Sequence, residues 1–368
     1  MRVLKYIFLL IFLLIAAAVV FIATSENTYT LSRSRYIKSP RNIVFKFVED
    51  YSLWEIWFMS DDPSMKFSKG GNPKASVPGF TWKGESGEGS VQTSYLKSND
   101  SLVQKIVLND APANAFWTFK DTTGGTIATW KIIGTLSFKD KFAAALQGGA
   151  ANLVDRMYER SINSLQRVVT HEVNAYKIKI EGTSTVTLTN FLYQKLTSTS
   201  EDLNRNIRIM MSKLEFFAAK NKLALSGEPF VLYDSGLTKG TTVTFSVCLP
   251  VTEEIFIAEG SDISSGKIAG FNSVKTTLHG DYSHLNEART AAAAYIQKYK
   301  LGFNATGKRV EIYRVRASQE KLPSKWVTEI HIPVGMAAPA PAIRTISPIV
   351  ARRPTTEPAP TPTDEFDL

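Results

Sequence analysis

The feature that most constrains this chain is an internal repeat within residues 172–335. The segment 244–251 (TFSVCLPV) matches the segment 327–334 (VTEIHIPV), 83 positions later. Each copy is preceded by an amphipathic helical pattern and by a strand-like run that closes on a tyrosine, Tyr233 or Tyr313. The repeat predicts two strand–helix–strand–strand units that pair around a pseudo-twofold axis, with the helices on one face of a sheet and a concave groove on the other.

The alternation of side chains along the last strand of the repeat predicts which residues face that groove. Ile330 and Ile332 share one face, which should meet the helices, whereas Glu329 and His331 share the other. Ser246 holds the position in the first half that Glu329 holds in the second. A single carboxylate, that of Glu329, is therefore predicted to lie in the groove.

Residues 28–170 show the pattern of an antiparallel sheet followed by a long helix. Ser39-Pro40 is typical of a helix start, because a hydroxyl can cap a helix and a proline fits its first turn. The apolar residues predicted for that helix are Ile43, Val44, Phe45, Phe47 and Val48. Apolar residues at helical spacing predict a helix over 141–169, which Gly148-Gly149 can interrupt. The predicted architecture is α+β, a curved sheet that grips this helix. Strand-like runs occupy 28–38, 90–96, 102–108, 115–120 and 126–138.

Residues 6–23 form an uncharged run that is rich in Leu, Ile, Phe and Val. As a helix, this run would extend about 27 Å, close to the ~30 Å hydrocarbon core of a bilayer. We expect an uncleaved single-pass anchor in the inner membrane, and a cleaved signal peptide is the alternative. Arg2 and Lys5 precede the run while Arg33 and Arg35 follow it, so the positive-inside rule leaves the orientation open. A periplasmic body is the simpler arrangement for so short an N-terminal tail.

The chain is thus predicted to have four segments. A membrane anchor (1–27) is followed by a first domain (28–170), by a second domain made of the repeat (171–335) and by a tail (336–368). The tail is rich in Pro, Ala and Thr, which cannot build an apolar core, so it is predicted to be extended or disordered.

Composition argues against several classes of function. The single cysteine, Cys248, cannot form an intramolecular disulfide and is predicted to be a buried thiol within a strand. His279 and His284 are five residues apart around a glycine, which is not the spacing of a zinc site, and neither a metal nor another cofactor is expected. The formal net charge of +9 is scattered along the chain, which favours an anionic lipid surface over nucleic acid as its partner.

The first domain resembles the SRPBCC superfamily, the START-like helix-grip proteins that include polyketide cyclases and carriers of hydrophobic ligands. The resemblance implies a helix-grip fold and says little about activity, since many functions share that fold. Trp57, Trp82 and Trp117 are the candidates to line an apolar cavity in such a domain. The residues that carry the resemblance are Ile37-Lys38-Ser39-Pro40, Asp50-Tyr51-Ser52-Leu53-Trp54 with Trp57, Gly79-Phe80-Thr81-Trp82 and Gly87-Glu88-Gly89.

The second domain resembles the gyrase-inhibitor-like (GyrI-like) effector-binding domain, which also serves as the ligand sensor of multidrug-responsive transcription activators. The resemblance implies that Glu329 meets cationic or hydrophobic ligands in the groove. Tyr233, Tyr282 and Tyr313 are predicted to border it, where their rings would attract an organic cation. No helix-turn-helix pattern precedes this domain, so a DNA-binding domain is not expected. The resemblance is carried by Gly227-Glu228-Pro229 to Tyr233, His279 to Leu285, Glu311-Ile312-Tyr313 and Trp326 to Val334.

Binding of a small hydrophobic or cationic molecule at the cell envelope is therefore the predicted function, and no catalytic residue is assigned. One alternative is a hydrolase, because some proteins that resemble the second domain hydrolyse reactive small molecules with a glutamate and a tyrosine. Glu329 with Tyr313 or Tyr233 would take those roles. A second alternative is an envelope interaction module that reaches a protein partner, which the sequence does not identify, through the tail.

Overall fold

The computed structural model describes residues 2–24, 28–69, 79–85, 87–146, 149–187, 189–200, 202–234, 242–257, 260–302, 304, 308–335 and 344–345. These residues fall into two compact units, unit 1 within 2–171 and unit 2 within 172–345. The fold is α+β, with one seven-stranded and one nine-stranded antiparallel sheet. Apart from 344–345, the predicted tail (336–368) lies outside the described residues.

The helices are α1 (Arg2–Thr24), α2 (Arg41–Glu49), α3 (Phe138–Leu146), α4 (Ala150–Asn174), α5 (Leu203–Lys220) and α6 (Leu285–Lys298). The strands of unit 1 are β1 (Thr28–Ile37), β2 (Lys66–Lys69), β3 (Gly79–Gly84), β4 (Gly87–Lys97), β5 (Ser101–Leu108), β6 (Ala111–Thr122) and β7 (Gly125–Thr135). The strands of unit 2 are β8 (Lys177–Val186), β9 (Thr189–Thr199), β10 (Phe230–Tyr233), β11 (Thr242–Val251), β12 (Ser264–Ile268), β13 (Phe271–His279), β14 (Arg309–Val315), β15 (Val327–Pro333) and β16 (Arg344–Thr345). Short 3₁₀ turns occupy Tyr51–Ile56, Tyr282–His284 and Pro323–Lys325.

Helix α1 is the one helix among the described residues that is long and apolar enough to cross a membrane. Its segment Leu4–Phe21 has a mean hydropathy of 2.8, and none of this segment is buried within the protein. A signal sequence has the same length and composition, so the helix fits a single span and a signal sequence equally.

The sheet of unit 1 has the strand order β1-β7-β6-β5-β4-β3-β2. Alternate side chains of β6 are buried, the pattern of a strand with one covered face and one exposed face. Helix α2 lies against the covered face, and Pro40 occupies its N-cap without a side-chain cap. The hydroxyl of Ser39 is directed to the oxygen of Pro40, so Ser39 does not cap the helix as expected. The side chains that α2 buries are the expected ones, Ile43, Val44, Phe45, Phe47 and Val48.

The helix predicted over 141–169 is divided into α3 and α4. Gly149 has a φ of +117°, a conformation that glycine adopts readily and other residues adopt only with strain, and it separates the two helices. The strand predicted over 126–138 ends at Thr135, since the chain turns there into α3. Helix α4 then buries one stripe of side chains that includes Tyr158, Ile162, Leu165 and Val169.

The sheet of unit 2 has the strand order β12-β9-β11-β10-β14-β15-β13-β8-β16. The series β9-α5-β10-β11 and the series β13-α6-β14-β15 have the same order of strands and helix. The six strands of the two series are adjacent in the sheet, in the symmetric order β9-β11-β10-β14-β15-β13. Helices α5 and α6 cover one face, here called the helix face, over two apolar clusters. On the opposite or reverse face, a smaller cluster that includes Phe230 and Leu232 also contains Cys248, which is fully buried as predicted.

Candidate ligand-binding site

The three predicted tyrosines lie together on the helix face of unit 2. Tyr233 of β10 and Tyr313 of β14 belong to one buried cluster with side chains of α5. Tyr282 precedes α6, and the centroid of its ring is 5.3 Å from that of Tyr313 in an edge-to-face arrangement. The ring of Trp326 is 4.7 Å from that of Tyr282. These rings form an aromatic wall that touches the clusters beneath both helices.

Glu329 lies on the reverse face, away from these tyrosines. Strand alternation places Ile330 in the cluster beneath α6, as predicted, and turns Glu329 to the other side. Its carboxylate accepts hydrogen bonds from Arg314 Nε at 2.9 Å and Lys275 Nζ at 2.8 Å, and His331 Nε2 lies 3.7 Å away. Burial alone would raise the pKa of Glu329, but these three partners outweigh it and hold the pKa well below its usual range. Its role in ligand binding stays a prediction.

A different carboxylate, that of Glu311 in β14, lies among the tyrosines. Glu311 is 2% exposed and is opposite Ile330 of β15 in the sheet, which places it on the helix face. The hydroxyl of Tyr233 donates to its Oε2 at 3.0 Å. This position of Glu311 was not predicted, although alternation along β14 gives Glu311 and Tyr313 the same face.

Arg289 of α6 neutralises Glu311. The guanidinium donates two hydrogen bonds, from Nε to Oε1 at 2.6 Å and from Nη2 to Oε2 at 2.9 Å. Its Cζ is 5.6 Å from the centroid of the Tyr233 ring. A planar cation is thus held by a bidentate carboxylate and an aromatic ring, interactions that strengthen when water is excluded. We call this group the Glu311 site, which consists of Tyr233, Tyr282, Arg289, Glu311 and Tyr313.

Burial and the charge of Glu311 set the protonation states in this site. Burial, together with the Glu311 charge, raises the pKa of Tyr233 far above its usual range. Burial likewise raises the pKa of Tyr282 and the pKa of Tyr313. Burial alone would lower the pKa of Arg289, but the charge of Glu311 outweighs it and the pKa is raised. At neutral pH the three phenols of the site are therefore neutral and the Arg289 guanidinium is charged.

The predicted cavity residues of unit 1, Trp57, Trp82 and Trp117, lie in its core, and each is at most 3% exposed. The rings of Trp57 and Trp117 meet edge to face at 6.2 Å, and Trp117 stacks on Trp130 at 4.5 Å. Trp82 meets Phe58 edge to face at 5.0 Å. The five rings belong to one aromatic cluster, because Phe58 also lies 5.8 Å from Trp57.

Two indole N–H groups of this cluster have no hydrogen-bond partner among the residues that the structure describes. The Nε1 atoms of Trp57 and Trp117 each donate to an oxygen at 3.1 Å. The Nε1 atoms of Trp82 and Trp130 are buried and unbonded. Because an unpaired buried donor costs free energy, an acceptor atom of an apolar ligand would be stabilised beside them.

Cavities are present in both units. In unit 1, a cavity of about 670 Å³ opens at one end of the sheet, between charged turns and the apolar side chains Leu108, Leu136, Val154 and Met157. In unit 2, a groove of about 170 Å³ lies on the reverse face. Ser246, the counterpart of Glu329 in the repeat, is buried on that face opposite Leu232. The groove is lined by residues that include Phe230, Pro250, Ile268, Ile312 and Arg314.

Two of the four histidines, His284 and His331, have structural contacts. The ring of His284 stacks on that of Tyr176 at 3.6 Å, and its Nε2 is 3.0 Å from the oxygen of Val173. His331 Nδ1 is 3.0 Å from the hydroxyl of Ser273. Within the residues that the structure describes, no three His, Cys, Asp or Glu side chains converge as metal ligands would.

Comparisons with known proteins add partial likenesses of fold. No protein-family model matches the chain, and no curated protein matches it. The crystal structure of the EcmrR C-terminal domain is 18% identical over 44% of this chain and 99% of that domain, with a TM-score of 0.36. The structure of SAV2435 bound to tetraphenylphosphonium is 14% identical over 42% of this chain and 93% of that chain, with a TM-score of 0.31. Protein CV1439 from Chromobacterium violaceum is 9% identical over 38% of this chain and 96% of that protein, with a TM-score of 0.30. The ligand and activity of this chain must be inferred from its own residues.

Proposed function

We propose that this chain is a membrane-anchored protein that binds a small organic cation or apolar molecule at the Glu311 site. The observation that carries the proposal is the Arg289 guanidinium, which lies over the Tyr233 ring and donates twice to the buried Glu311. The guanidinium of Arg289, a flat and delocalised cation, thus lies against an aromatic ring and beside one carboxylate. These are the features that attract an organic cation.

Ligand binding in this proposal is an exchange of cations. A carboxylate as buried as Glu311 needs a positive partner, because an unpaired buried charge is strongly destabilising. The Arg289 side chain is 14% exposed, so it can withdraw into water, where its charge is solvated. A ligand that takes its place keeps Glu311 neutralised and gains apolar contact with Tyr282 and Tyr313.

Two variants and one matched control test the assignment in the full chain, held in amphipol and titrated with tetraphenylphosphonium. Glu311→Gln keeps the shape of the side chain and removes its charge, so affinity should fall by at least about tenfold. Arg289→Gln removes the competing cation and should strengthen binding. Glu329→Gln changes the glutamate of the neighbouring strand on the reverse face and should leave the affinity unchanged.

Two outcomes would contradict this assignment. If Glu311→Gln bound as the wild type does, or if Glu329→Gln lost binding, the Glu311 site would not be the ligand site. The second result would instead support Glu329 as the charged contact. Tetraphenylborate has the same shape and the opposite charge, so equal affinity for both ions would mean that the site selects apolar surface alone.

The proposal takes unit 2 as a duplicated GyrI-like domain and unit 1 as an SRPBCC helix-grip domain. The symmetric strand order of unit 2 supports the first assignment. In unit 1, α4 meets the seven-stranded sheet where Tyr158 lies edge to face against Trp130 at 4.6 Å, which supports the second. The unbonded indole N–H groups of Trp82 and Trp130 favour an apolar ligand with an acceptor atom in unit 1. Neither unit is proposed to bind nucleic acid or a metal.

The proposed location is a single pass through the inner membrane with the body in the periplasm. The length and apolar composition of α1 support the span. Protease added to intact spheroplasts should degrade the body and leave a small membrane-protected fragment. Full protection of the body would show that it faces the cytoplasm, and recovery of a shortened soluble chain would show that α1 is a cleaved signal.

A hydrolase is the second candidate because Tyr233 and Glu311 form a tyrosine–glutamate pair at 3.0 Å. Glu329 does not form such a pair with Tyr233 or Tyr313, since it lies on the other face of the sheet. A general base must take a proton from a water, whereas both oxygens of Glu311 already accept from Arg289. Turnover of a reactive small molecule that Glu311→Gln abolishes, with ligand binding retained, would favour the hydrolase over the binding protein.

A further inference from the structure

Helix α5 exposes two large apolar side chains on the side that faces away from the sheet. Ile209 is 50% exposed and Phe216 is 71% exposed. They are seven residues apart, so they lie on one stripe of the helix, separated by about 10.5 Å along its axis. The opposite side of α5, with Ile207 and Leu214, is buried in the core cluster. The exposed stripe therefore adds little to the core of unit 2.

Lysines alternate with these apolar side chains. Lys213 and Lys220 are exposed, and each lies three or four residues from Ile209 or Phe216. Helix α5 contains one acidic residue, Glu215, and this side chain is bonded to Arg316. We call the row of Ile209, Lys213, Phe216 and Lys220 the α5 stripe. It is apolar and cationic in alternate positions.

The matching helix of the other half shows that the fold does not require such a stripe. The exposed side of α6 carries Glu287, Thr290, Ala294 and Gln297, none of which is large and apolar. Both helices bury a comparable row against the same sheet. The α5 stripe is therefore a property of one half alone, as expected of a surface that meets a partner.

We propose that the α5 stripe docks on the surface of an anionic lipid bilayer. Phenylalanine and isoleucine side chains of an interfacial helix enter the boundary between headgroups and acyl chains, while lysines beside them meet the lipid phosphates. The alternation of Ile209, Lys213, Phe216 and Lys220 fits that arrangement. The bilayer is the favoured partner because α1, as the proposed anchor, keeps the whole chain at a membrane.

Two other occupants have weaker support. A second copy of the chain would bring Lys213 and Lys220 against the same lysines, which is unfavourable at close range. The segment 364–368 (DEFDL) is acidic and apolar, so it is complementary to the α5 stripe within the same chain. The experiment below distinguishes this segment from lipid.

A fluorescent label can report on the stripe in the full chain. Cys248 is fully buried, so a single cysteine introduced by Ser212→Cys, at an exposed position beside the stripe, can be labelled selectively. Ala294→Cys places the same label on the exposed side of α6 as the matched control. The labelled chains are reconstituted in vesicles whose acyl chains carry a bromine quencher.

Bilayer docking predicts at least about threefold stronger quenching at position 212 than at position 294 when the vesicles contain phosphatidylglycerol. Quenching at position 212 should fall in vesicles of phosphatidylcholine alone, because the lysines lose their anionic partners. It should also fall when Ile209→Ser and Phe216→Ser are combined, changes that the exposure of both side chains should allow without unfolding.

Equal quenching at the two positions in anionic vesicles would overturn the proposal. The proposal would also be overturned if, in lipid-free amphipol, the label at position 212 were shielded from aqueous iodide and became accessible once 364–368 were removed. That result would identify the acidic segment of the chain as the occupant. A cooperative thermal unfolding transition in each variant would show that all the labelled chains are folded.

Discussion

Glu311 and Glu329 lie on neighbouring strands of one sheet and have opposite surroundings. Glu311 faces the helices, is 2% exposed, and is hydrogen-bonded to the guanidinium of Arg289, while Arg309 of the same strand acts on it electrostatically. Glu329 faces the reverse side and meets two cations, Arg314 and Lys275, as well as a histidine. In the proposed exchange, a ligand cation replaces the Arg289 guanidinium as the hydrogen-bonded partner of Glu311. A carboxylate fixed by several partners is already satisfied, and a ligand gains little from it.

The largest expected loss of unfolding free energy comes from Arg289→Ala. This change removes the guanidinium that donates both Arg289 hydrogen bonds to the buried Glu311, and breaking a buried ion pair in this way costs about 3–5 kcal/mol of the free energy of unfolding. The loss is measured by chemical denaturation of the full chain, monitored with a spectroscopic probe in unit 2. The pair Arg289→Met with Glu311→Leu removes both charges and should recover most of it. A double variant as unstable as Arg289→Ala would show that the damage comes from packing.

The next effect concerns the hydrogen bond from Tyr233 to Glu311. Tyr233→Phe removes the hydroxyl and leaves the ring, so the change should cost about 1.5–3 kcal/mol, as expected for a bond to a charged group. The same denaturation experiment applies. Tyr193→Phe is a suitable control, because this tyrosine lies on the reverse face. Equal losses of unfolding free energy for both variants would show that the hydrogen bond to Glu311 contributes no more than the hydroxyl of a tyrosine on the reverse face.

Arg314→Ala should have a much smaller effect than Arg289→Ala. The Arg314 side chain is 45% exposed, and Lys275 still neutralises Glu329 after the change. Pairs this accessible to solvent contribute about 0–1 kcal/mol. A loss as large as that of Arg289→Ala would mean that the Arg314 contact stabilises the fold as much as the buried Arg289 contact does, and the contrast between the two carboxylates would disappear.

The smallest effect is a dependence on pH that belongs to Glu329. Its pKa in the folded chain is lowered, so its ionic partners stabilise the fold above the unfolded pKa of about 4.3. That stability is lost as the pH falls through the lower, folded value. The difference in unfolding free energy between wild type and Glu329→Gln should therefore shrink below about pH 4.3. A difference that stays constant with pH would contradict the ionic contacts.

Strand alternation explains how much of this site could be predicted. Along β15 it correctly gave Glu329 and Ile330 opposite faces, because alternation depends only on an extended backbone. The same rule along β14 places Glu311 beside Tyr313, but it does not supply Arg289. The approach of α6 to the sheet brings Arg289 to Glu311, and this depends on the packing of small residues such as Ala288. Contacts of that kind are not encoded in local periodicity.

The same limit applies to the fold of unit 1. The apolar residues of α2 were predicted because their spacing alone defines a buried helical stripe. Strand pairing was not predictable in detail, since β4 shifts register against β5 between Thr93 and Tyr95. Gly89 illustrates the reason, because a Cβ there would lie 2.4 Å from both Trp82 Cζ2 and the oxygen of Val107. The requirement for glycine arises from neighbours distant in sequence.

The short connection between α1 and β1 determines how far unit 1 can travel. Helix α1 ends at Thr24 and β1 begins at Thr28, a reach of at most about 14 Å. Lys141 of α3 also donates to the oxygen of Ala23 at 3.2 Å. If α1 spans a bilayer, as proposed, unit 1 is held next to the membrane surface and meets molecules dissolved in lipid by diffusion in two dimensions. The frequency of their encounters then depends on how many copies of both share a given area of membrane, and it does not depend on the volume of the surrounding solution.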